Sequence, residues 1–252
     1  MKPIVLIPSR FQSSRLPGKP LVDIAGKTLI RRVYEEAVKL GYPTYCAIDD
    51  ERIRKEVESF GGKYIMTDSD LPSGSDRIHQ ALQKIDPDGL NYDVVINFQG
   101  DSANIDYKVN KELVDLLIKK DADITTIGLI MKKEDYNNPA MVKIAAGFRD
   151  GETEAKALYF SRSLIPFDRD AEKPKDIYHH VGVYVYKREA LKKFVSSPEG
   201  ILEKREKLEQ LRALELGMTI YVKLFDKITI YDNAPADINT PEELELLKKR
   251  LE

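Results

Sequence analysis

Cysteine, histidine and tryptophan are scarce in this chain of 252 residues, which has one cysteine, three histidines and no tryptophan. A single cysteine excludes an internal disulfide and is typical of proteins from a reducing cytosol. Cys46 lies in the apolar run 44–48. Because free cysteine is among the most buried residue types, we expect Cys46 to pack in the core rather than to act as a nucleophile.

Long apolar runs and a strong net charge are also missing. No stretch of about 18 apolar residues occurs, and a strand pattern begins at the N-terminus, so the sequence predicts neither a membrane span nor a signal peptide. The formal net charge of −2 argues against a general nucleic-acid binder. With 42% hydrophobic and 33% charged residues, we expect a soluble cytoplasmic protein with one large α/β domain or two small ones.

Strand and helix patterns alternate through the first half of the chain. Apolar runs predict buried strands, and each is followed by apolar residues at helical spacing. Ser75 is the expected cap of the third helix. Repeated βα units with short connections predict a mainly parallel sheet that is covered on both faces. The predicted strands are 4–7, 44–48, 63–66 and 94–98, and the helical patterns cover 29–38, 53–60, 78–85 and 109–116.

The second half has more strands and fewer helices. This change predicts an inserted antiparallel sheet, either a substrate lid or a subunit contact. Thr240 followed by Pro241 is typical of a helix start, and it predicts a final helix. We find no repeat, low-complexity tract or linker, and therefore expect a single domain over residues 1–252. The predicted strands are 124–130, 142–148, 156–161, 181–186 and 219–225, and the predicted helices are 188–196 and 203–215.

A basic loop follows the first predicted strand. It carries Arg10, Arg15 and Lys19, and Gly18 lets the backbone approach a ligand closely. Such a loop at the carboxyl end of a strand can surround a polyphosphate with donors and positive charge. It is not a Walker loop, because Lys19 is followed by proline. The segment looks like the nucleotide-binding signature of sugar nucleotidyltransferases, although on its own it also fits a solvated basic loop.

Two further segments of the first half carry candidate ligand-binding groups. Asp101 follows Gly100 at the end of a predicted strand, where a carboxylate can hold Mg²⁺ against a nucleotide phosphate or, alternatively, form a turn or a helix cap. The nearby basic loop favours the interpretation of Asp101 as a metal ligand. Ser73, Gly74 and Arg77 are suited to contact a base or ribose, and they equally fit a well-capped helix start.

The second half supplies groups suited to a polar substrate. Arg162 has a guanidinium that can capture a carboxylate through two hydrogen bonds. His180 and Tyr184 share one face of a predicted strand. Glu209 and Gln210 lie on a predicted helix beside an apolar leucine stripe. The alternatives are a surface arginine, a hydrogen-bonded strand histidine and a solvated helix face.

Together these motifs closely resemble the 3-deoxy-manno-octulosonate (KDO) cytidylyltransferases, the CMP-KDO synthetase family. The resemblance implies a glycosyltransferase-A-like α/β fold, a three-layer sandwich with a mixed, mainly parallel sheet and an inserted antiparallel sheet. It also implies a homodimer that uses CTP and Mg²⁺. In the implied reaction, the anomeric hydroxyl of KDO or a close analogue attacks the α-phosphate of CTP and releases pyrophosphate, for lipopolysaccharide or related glycan synthesis. The matching segments are 7–21, 71–77, 97–101, 157–166, 180–186, 208–214 and 240–243.

The resemblance also implies roles for individual residues. A nucleotide-binding half would extend to about residue 122, and a sugar-acid and dimerisation half would follow it. Asp101 would coordinate Mg²⁺. The triphosphate would be held by Arg10, Arg15 and Lys19, and the cytidine by Ser73, Gly74, Arg77 and Gln99. The sugar-acid pocket would be formed by Tyr159, Arg162, His180, Tyr184, Glu209 and Gln210.

Two departures from the family pattern leave alternatives open. The residues after Asp101 are 102–104, Ser-Ala-Asn, where the family has Glu-Pro, and Asn239 stands at the position of the second metal carboxylate. Asp237 lies two residues earlier and faces the same way in an extended segment, so we infer that it replaces the missing ligand. The alternatives are an amino-substituted KDO or other ulosonic acid as substrate, and a catalytically silent nucleotide-binding protein. A glycosyltransferase that uses a sugar nucleotide is disfavoured, because the basic loop suits a triphosphate.

Overall fold

The computed structural model describes residues 1–12, 16–169, 176–230, 238 and 240–251. The chain forms two compact units. The first unit combines Met1–Glu112 with Ile228–Glu252, and the second is Leu113–Lys227. The C-terminal segment therefore groups with the N-terminal part of the chain. The division into a nucleotide-binding half and a sugar-acid half stays a functional prediction.

The first unit contains a parallel sheet, as predicted. Four strands follow one another in the order β5-β4-β1-β6, and every pairing among them is parallel. A short antiparallel ribbon of β2 and β3 turns at Ala25 and Gly26, which both have positive φ, and the sequence analysis missed it. The strands are β1 (Pro3–Ser9), β2 (Asp23–Ile24), β3 (Lys27–Thr28), β4 (Thr44–Ile48), β5 (Tyr64–Met66) and β6 (Val94–Asn97).

The core of the first unit is formed by continuous apolar strands. Residues 4–7 of β1 are fully buried, as expected for a parallel strand with elements packed on both faces. Cys46 in β4 is also fully buried, and burial raises the pKa of its thiol, in agreement with a packing role. The helices that follow these strands are α1 (Leu29–Ala37), α2 (Glu51–Ser59), α3 (Gly74–Ile85) and α4 (Tyr107–Lys120), which crosses the unit boundary.

The predicted cap of α3 was wrong by two residues. Ser73, not Ser75, has the extended backbone of a cap, and its Oγ accepts a hydrogen bond from Asp76 N (3.2 Å). Ser75 is instead buried in the first turn. The sequence offers a serine on either side of Gly74, and the helix begins at the glycine because the earlier serine can reach the third N–H of the helix.

The second unit is built mainly from antiparallel strands. Its order is β10-β7-β11-β9-β8, and β8 also pairs with the start of β10. Only β7 and β11 are parallel to each other among the pairings described for this unit. The predicted antiparallel region is thereby confirmed. The strands are β7 (Ile124–Ile130), β8 (Lys143–Ala146), β9 (Glu154–Ser161), β10 (Tyr178–Lys187) and β11 (Ile220–Phe225).

The helix predicted over residues 203–215 is two helices. After α5 (Arg188–Ser196) come α6 (Ile201–Glu206) and α7 (Gln210–Glu215), and the break lies at Lys207, which has a φ of 54°. Arg162 donates to the carbonyls of Glu206 (2.8 Å) and Lys207 (3.3 Å), and Glu206 accepts from Arg162 N (3.0 Å). These contacts satisfy carbonyls that a continuous helix would bond internally, so a tertiary interaction overrides the helical pattern.

The last helix, α8 (Pro241–Leu251), begins as predicted. Thr240 Oγ1 accepts from Glu243 N (3.2 Å), and Glu243 Oε2 accepts from Thr240 N (2.9 Å), which is a capping box. Just before this helix, Ile238 is buried and donates its N–H to the Asp101 carbonyl (3.1 Å). The start of α8 is thus tied to the end of β6. Across the described ranges, no helix has the length and apolarity needed to cross a membrane.

Candidate functional site

Three segments of the first unit enclose a cavity of about 280 Å³. They are the end of β1 with the loop after it, the approach to α3, and the end of β6. Because β1 and β6 are parallel neighbours, their carboxyl ends open at the same edge of the sheet, where α/β proteins bind ligands. The cavity walls bring together seven residues predicted from the sequence, namely Arg10, Lys19, Ser73, Gly74, Arg77, Gln99 and Asp101.

Gly100 allows the two strand ends to approach each other. A Cβ at this position would lie 2.6 Å from Ser9 Oγ and would clash with the Pro8 carbonyl oxygen. Only glycine fits such a close approach. Asp101, the next residue, is therefore held beside the end of β1, opposite the basic loop.

Lys19 and Asp101 form an ion pair in the cavity wall. Lys19 Nζ lies 2.7 Å from Asp101 Oδ2, and both side chains remain partly open to the cavity. Gly18 adopts a left-handed conformation with a φ of 70°, which turns the chain so that Lys19 begins a single 3₁₀ turn. The basic loop is thus folded back onto the end of β6. Arg15, the third predicted cation, lies outside the described residues.

Arg77 is buried in the wall near α3. Its Nη1 donates to Thr67 Oγ1 (2.6 Å) and to the Asp68 carbonyl (3.1 Å), and its Nη2 lies 3.1 Å from Asp49 Oδ2. Burial lowers the pKa of Arg77, Asp49 acts to raise it, and the positive charge of Arg10 acts to lower it further. Arg77 is therefore anchored to the protein while it faces a second cation.

Two buried polar atoms in the cavity wall have no hydrogen-bond partner among the described residues. They are Ser9 Oγ and Arg77 Nη2, the latter lying near Asp49 without hydrogen-bond alignment. Both atoms are buried from solvent, so they lie behind the surface of the cavity wall. The wall combines these groups with the Arg10 and Lys19 charges, which favours an anionic ligand.

Asp49 is the residue of this region that the sequence analysis missed. It follows β4 directly, so it lies at the same sheet edge as Arg10 and Asp101. A position at the carboxyl end of a parallel strand was the available signal. The adjacent Asp50, which caps α2 through Arg52 N (2.8 Å), concealed it, because two consecutive aspartates before a helix look like capping residues.

The predicted sugar-acid residues lie in the second unit, where His180, Tyr184 and Gln210 come together. His180 Nε2 lies 3.1 Å from Thr126 Oγ1 and its Nδ1 lies 3.5 Å from Gln210 Nε2, while its ring lies 5.5 Å from that of Tyr184. Burial, reinforced by His179, lowers the pKa of His180 to about 3. His180 is therefore a neutral, hydrogen-bonding imidazole at physiological pH.

Glu209 and Tyr184 interact electrostatically. Burial is the main cause that raises the pKa of Tyr184, and the charges of Tyr186 and Glu209 act in the same direction. Glu209 stands immediately before α7 and is half-buried. The break in the predicted helix thus presents Glu209 and Gln210 at a helix start rather than on a continuous helix face.

Arg162 and Tyr159 are placed differently from the predicted pocket wall. The Arg162 guanidinium donates to the carbonyls of Glu206 and Lys207, and also to the Pro139 carbonyl (3.0 Å). Tyr159 precedes Phe160, whose ring packs 4.9 Å from that of His180. Since successive side chains of a strand point to opposite faces, the structure does not bring Tyr159 to the His180 side of β9. A carboxylate contact by Arg162 stays a prediction.

Comparison with known proteins assigns this arrangement to a family. The cytidylyltransferase family model matches residues 4–220. The 3-deoxy-manno-octulosonate cytidylyltransferase of Paramagnetospirillum magneticum is 41% identical over 240 residues, covering 94% of this chain and 95% of that protein. The chain belongs to the 3-deoxy-manno-octulosonate cytidylyltransferase family. The family member from Parvibaculum lavamentivorans is 44% identical over 238 residues, covering 94% of this chain and 90% of that protein.

A solved structure supports the same membership in this cytidylyltransferase family. The structure of CMP:2-keto-3-deoxy-manno-octonic acid synthetase complexed with CTP matches with a TM-score of 0.89 and 35% identity, and the match covers all of this chain (100%) and 98% of that one. The mixed α/β architecture is therefore shared from end to end. The predicted family and α/β class are confirmed.

The residues that depart from the cytidylyltransferase pattern after Asp101 lie beneath the site. Ser102, Ala103 and Asn104 are buried, and none is among the described residues that line the cavity. Ser102 N donates to the Gln99 carbonyl (3.1 Å), and the Asn104 carbonyl accepts from Ile230 N (2.8 Å). Residues 102–104 therefore lie outside the described lining of the cavity.

The second predicted metal ligand lies outside the described residues, as does Asn239. Within the described ranges, no three acidic, histidine or cysteine side chains come together as a metal cluster. Asp101 supplies one carboxylate. The backbone carbonyl of Asp101 accepts a hydrogen bond from the N–H of Ile238, which is the neighbour of both Asp237 and Asn239. The role of Asp237 stays a prediction.

Proposed function

We propose that this protein transfers CMP from CTP to the anomeric hydroxyl of KDO or a close analogue and releases pyrophosphate. The observation that carries the proposal is the cavity of the first unit, where Lys19 and Asp101 meet beside Arg10 and Arg77. A triphosphate needs concentrated positive charge, and a carboxylate beside such a site is suited to hold Mg²⁺ against the phosphates. The family membership supports the same reaction.

The nucleotide would be bound by the first unit. Arg10, Lys19 and, by prediction, Arg15 would hold the triphosphate and stabilise charge that develops as pyrophosphate leaves. Ser73, Gly74, Arg77 and Gln99 would surround the cytidine. This assignment is supported by the position of all four residues in the lining of one cavity. The Arg77 guanidinium is held in place by its hydrogen bonds to Thr67 and Asp68.

Mg²⁺ fits the donor set that this chain offers. Mg²⁺ is commonly held by one or two carboxylates together with substrate phosphates and water, so Asp101 with Asp237 is a sufficient protein contribution. When bound, the ion would act as a Lewis acid at the α-phosphate. The protein's own part is to keep Asp101 at the end of β6, where Gly100 fixes its approach to β1.

The sugar acid would be recognised by side chains of the second unit. His180, whose two ring nitrogens lie near Thr126 Oγ1 and Gln210 Nε2, would position Gln210, and Gln210 and Tyr184 carry polar atoms suited to sugar hydroxyls. Glu209 and Arg162 complete the proposed set, from which Tyr159 is left out because it lies on the other face of β9 from the Phe160 ring that packs on His180. Arg162 retains N–H groups beyond those that donate to the three carbonyls, and these remain suited to a carboxylate.

Two finer structural proposals accompany the reaction. A glycosyltransferase-A-like layout is supported by the parallel order β5-β4-β1-β6 and by the antiparallel strands of the second unit. A homodimer is supported by large apolar side chains that are exposed on the second unit, among them Leu158 and Phe167, which is 89% exposed. Sedimentation at several protein concentrations tests the dimer directly.

The reaction is tested by the rate of pyrophosphate release in the presence of Mg²⁺. CTP with KDO is expected to give turnover, and ATP or GTP with KDO is expected to give little. A panel of ulosonic acids, including an amino-substituted KDO, then ranks the sugar substrates by kcat/KM. Equal rates with CTP, ATP and GTP would contradict the cytidine assignment, and pyrophosphate release that does not depend on any sugar acid would contradict the transfer.

A further inference from the structure

Phe11, the residue after Arg10, is held from three directions. Its N–H donates to Asp49 Oδ1 (2.9 Å), and the guanidinium carbon of Arg52 lies 3.4 Å from the centre of its ring. Gly18 N donates to the Phe11 carbonyl (3.1 Å), and a Cβ at Gly18 would lie 3.4 Å from the ring. We call Asp49, Arg52 and Gly18 the Phe11 clamp. The clamp fixes both ends of the basic loop.

Asp49 also reaches the opposite wall of the cavity. Its Oδ2 lies 3.1 Å from Arg77 Nη2, and the two side chains are only 5% and 3% exposed. One buried carboxylate therefore connects the loop that carries Arg10 with the first turn of α3. Neither partner is a flexible surface group, so the connection is geometrically defined.

The charges at the cavity make this connection necessary. Arg10 and Arg77 are close enough that the positive charge of one acts to lower the pKa of the other, and Asp49 acts against this effect. Without Asp49, the Arg77 charge would be buried without its ion-pair partner, and the Phe11 N–H would lose its acceptor. Both losses allow the two cations to separate.

We propose that Asp49 is a positioning residue for nucleotide binding, which acts through Phe11 and Arg77 to set the spacing of the cationic groups around the cavity. The proposal rests on the proposed function, because it takes CTP as the ligand. It predicts that the loss of the Asp49 charge weakens CTP binding, which is the opposite of the effect expected from charge alone. Removal of a negative charge beside a polyanion site strengthens binding by charge alone, whereas lost placement weakens it. Weaker CTP binding by a variant that lacks the Asp49 charge would therefore show that Asp49 acts by positioning.

The test is the dissociation constant of CTP for the full chain, measured by calorimetry without sugar acid. Asp49→Asn keeps the shape and one acceptor oxygen, and we expect its Kd to rise by about tenfold or more. Asp68→Asn is the matched control, because this exposed carboxylate also acts on Arg77 but does not contact Phe11. Its Kd is expected to stay unchanged or to fall. Equal or tighter binding by Asp49→Asn would overturn the proposal.

A second variant keeps the test decisive if Asp49→Asn does not fold. Arg52 is 61% exposed, so Arg52→Ala removes the ring contact of the clamp without leaving a buried charge. We expect its CTP Kd to rise by about threefold, and by more than that of Arg54→Ala, which removes a positive charge from the same helix and whose guanidinium pairs with Glu51 and Glu58. Unchanged CTP binding in Arg52→Ala, with Asp49→Asn unfolded, would overturn the proposal. A wild-type chain that binds no CTP would instead contradict the proposed function.

Discussion

Lys19 Nζ lies 2.7 Å from Asp101 Oδ2, so the last cation of the basic loop and the predicted metal carboxylate occupy one point of the cavity. The two residues are far apart in the sequence, and each is brought there by a glycine: Gly18 by its left-handed turn, and Gly100 by its missing Cβ. This relationship makes Lys19 a candidate for direct contact with the phosphates that Mg²⁺ and Asp101 would hold.

Lys19→Ala is expected to lower kcat on the order of 100-fold, the effect of losing one preorganised electrostatic donor. Lys27→Ala is the matched control, since Lys27 pairs with Glu35 (2.6 Å) and does not line the cavity. Steady-state kinetics with CTP and KDO measures both. Near-normal turnover in Lys19→Ala would show that Lys19 is only a surface charge.

Arg162→Lys is expected to raise the KM for the sugar acid far more than the KM for CTP. Lysine keeps the charge but cannot reproduce the planar fork that reaches Glu206, Lys207 and Pro139, so the start of α7 with Gln210 loses its support. The same change also weakens any contact with the substrate carboxylate. Equal increases in the two KM values would count against placing the sugar acid in the second unit. Arg205→Lys, on the exposed side of α6, serves as control.

The pH dependence of stability is expected to report His180. Its pKa of about 3 in the folded protein lies below the value of about 6.5 expected in an unfolded chain. Between these two pKa values the unfolded chain binds the proton and the folded chain does not. The stability that comes from keeping His180 neutral is therefore fully present above about pH 6.5 and is lost as pH falls towards 3. Urea unfolding of wild type and His180→Gln checks this.

The free energy of unfolding of wild type should fall more steeply below pH 6 than that of His180→Gln, by up to about 1.4 kcal/mol per pH unit. Above pH 7.5 the two slopes should agree, which provides the internal control. Parallel slopes down to pH 4 would show that His180 is protonated equally in both states.

Asp237→Asn is expected to remove most activity if Asp237 replaces the family carboxylate at Asn239. Mg²⁺ would then keep only Asp101 as a charged protein ligand. Asn239→Asp is expected to be tolerated and to lower the Mg²⁺ concentration needed. Rates measured over a range of Mg²⁺ concentrations compare the two variants. Full activity in Asp237→Asn, with a stability change of only a few tenths of a kcal/mol, would reject the replacement.

Much of the fold was predictable because several of its strands, such as β1, β4, β6 and β7, are almost continuously buried. Runs such as 4–7 have no polar interruption, and their predicted limits agree with the structure within a few residues. The break between α6 and α7 was not predictable from periodicity. It depends on Arg162, which is distant in sequence and supplies donors to the Glu206 and Lys207 carbonyls.

The candidate site was predictable to the extent that its residues follow strand ends. Arg10, Gln99 and Asp101 each come after a buried strand, and the structure brings them into one cavity. Asp49 also follows a buried strand, but it was not predicted because the adjacent Asp50 made the pair look like helix-capping residues. The partners of Arg162 could not be predicted, since a guanidinium can donate to backbone carbonyls as well as to carboxylates and only the fold decides which are near.

The most direct test of the account is the identity and amount of the product. Purified protein is incubated with CTP, Mg²⁺ and KDO, and the mixture is analysed by mass spectrometry together with a pyrophosphate assay. The account predicts a CMP–KDO conjugate and pyrophosphate in equal amounts, with neither formed when KDO is omitted. Pyrophosphate without a conjugate, or a mixture unchanged under conditions where the wild-type chain binds CTP, would contradict it.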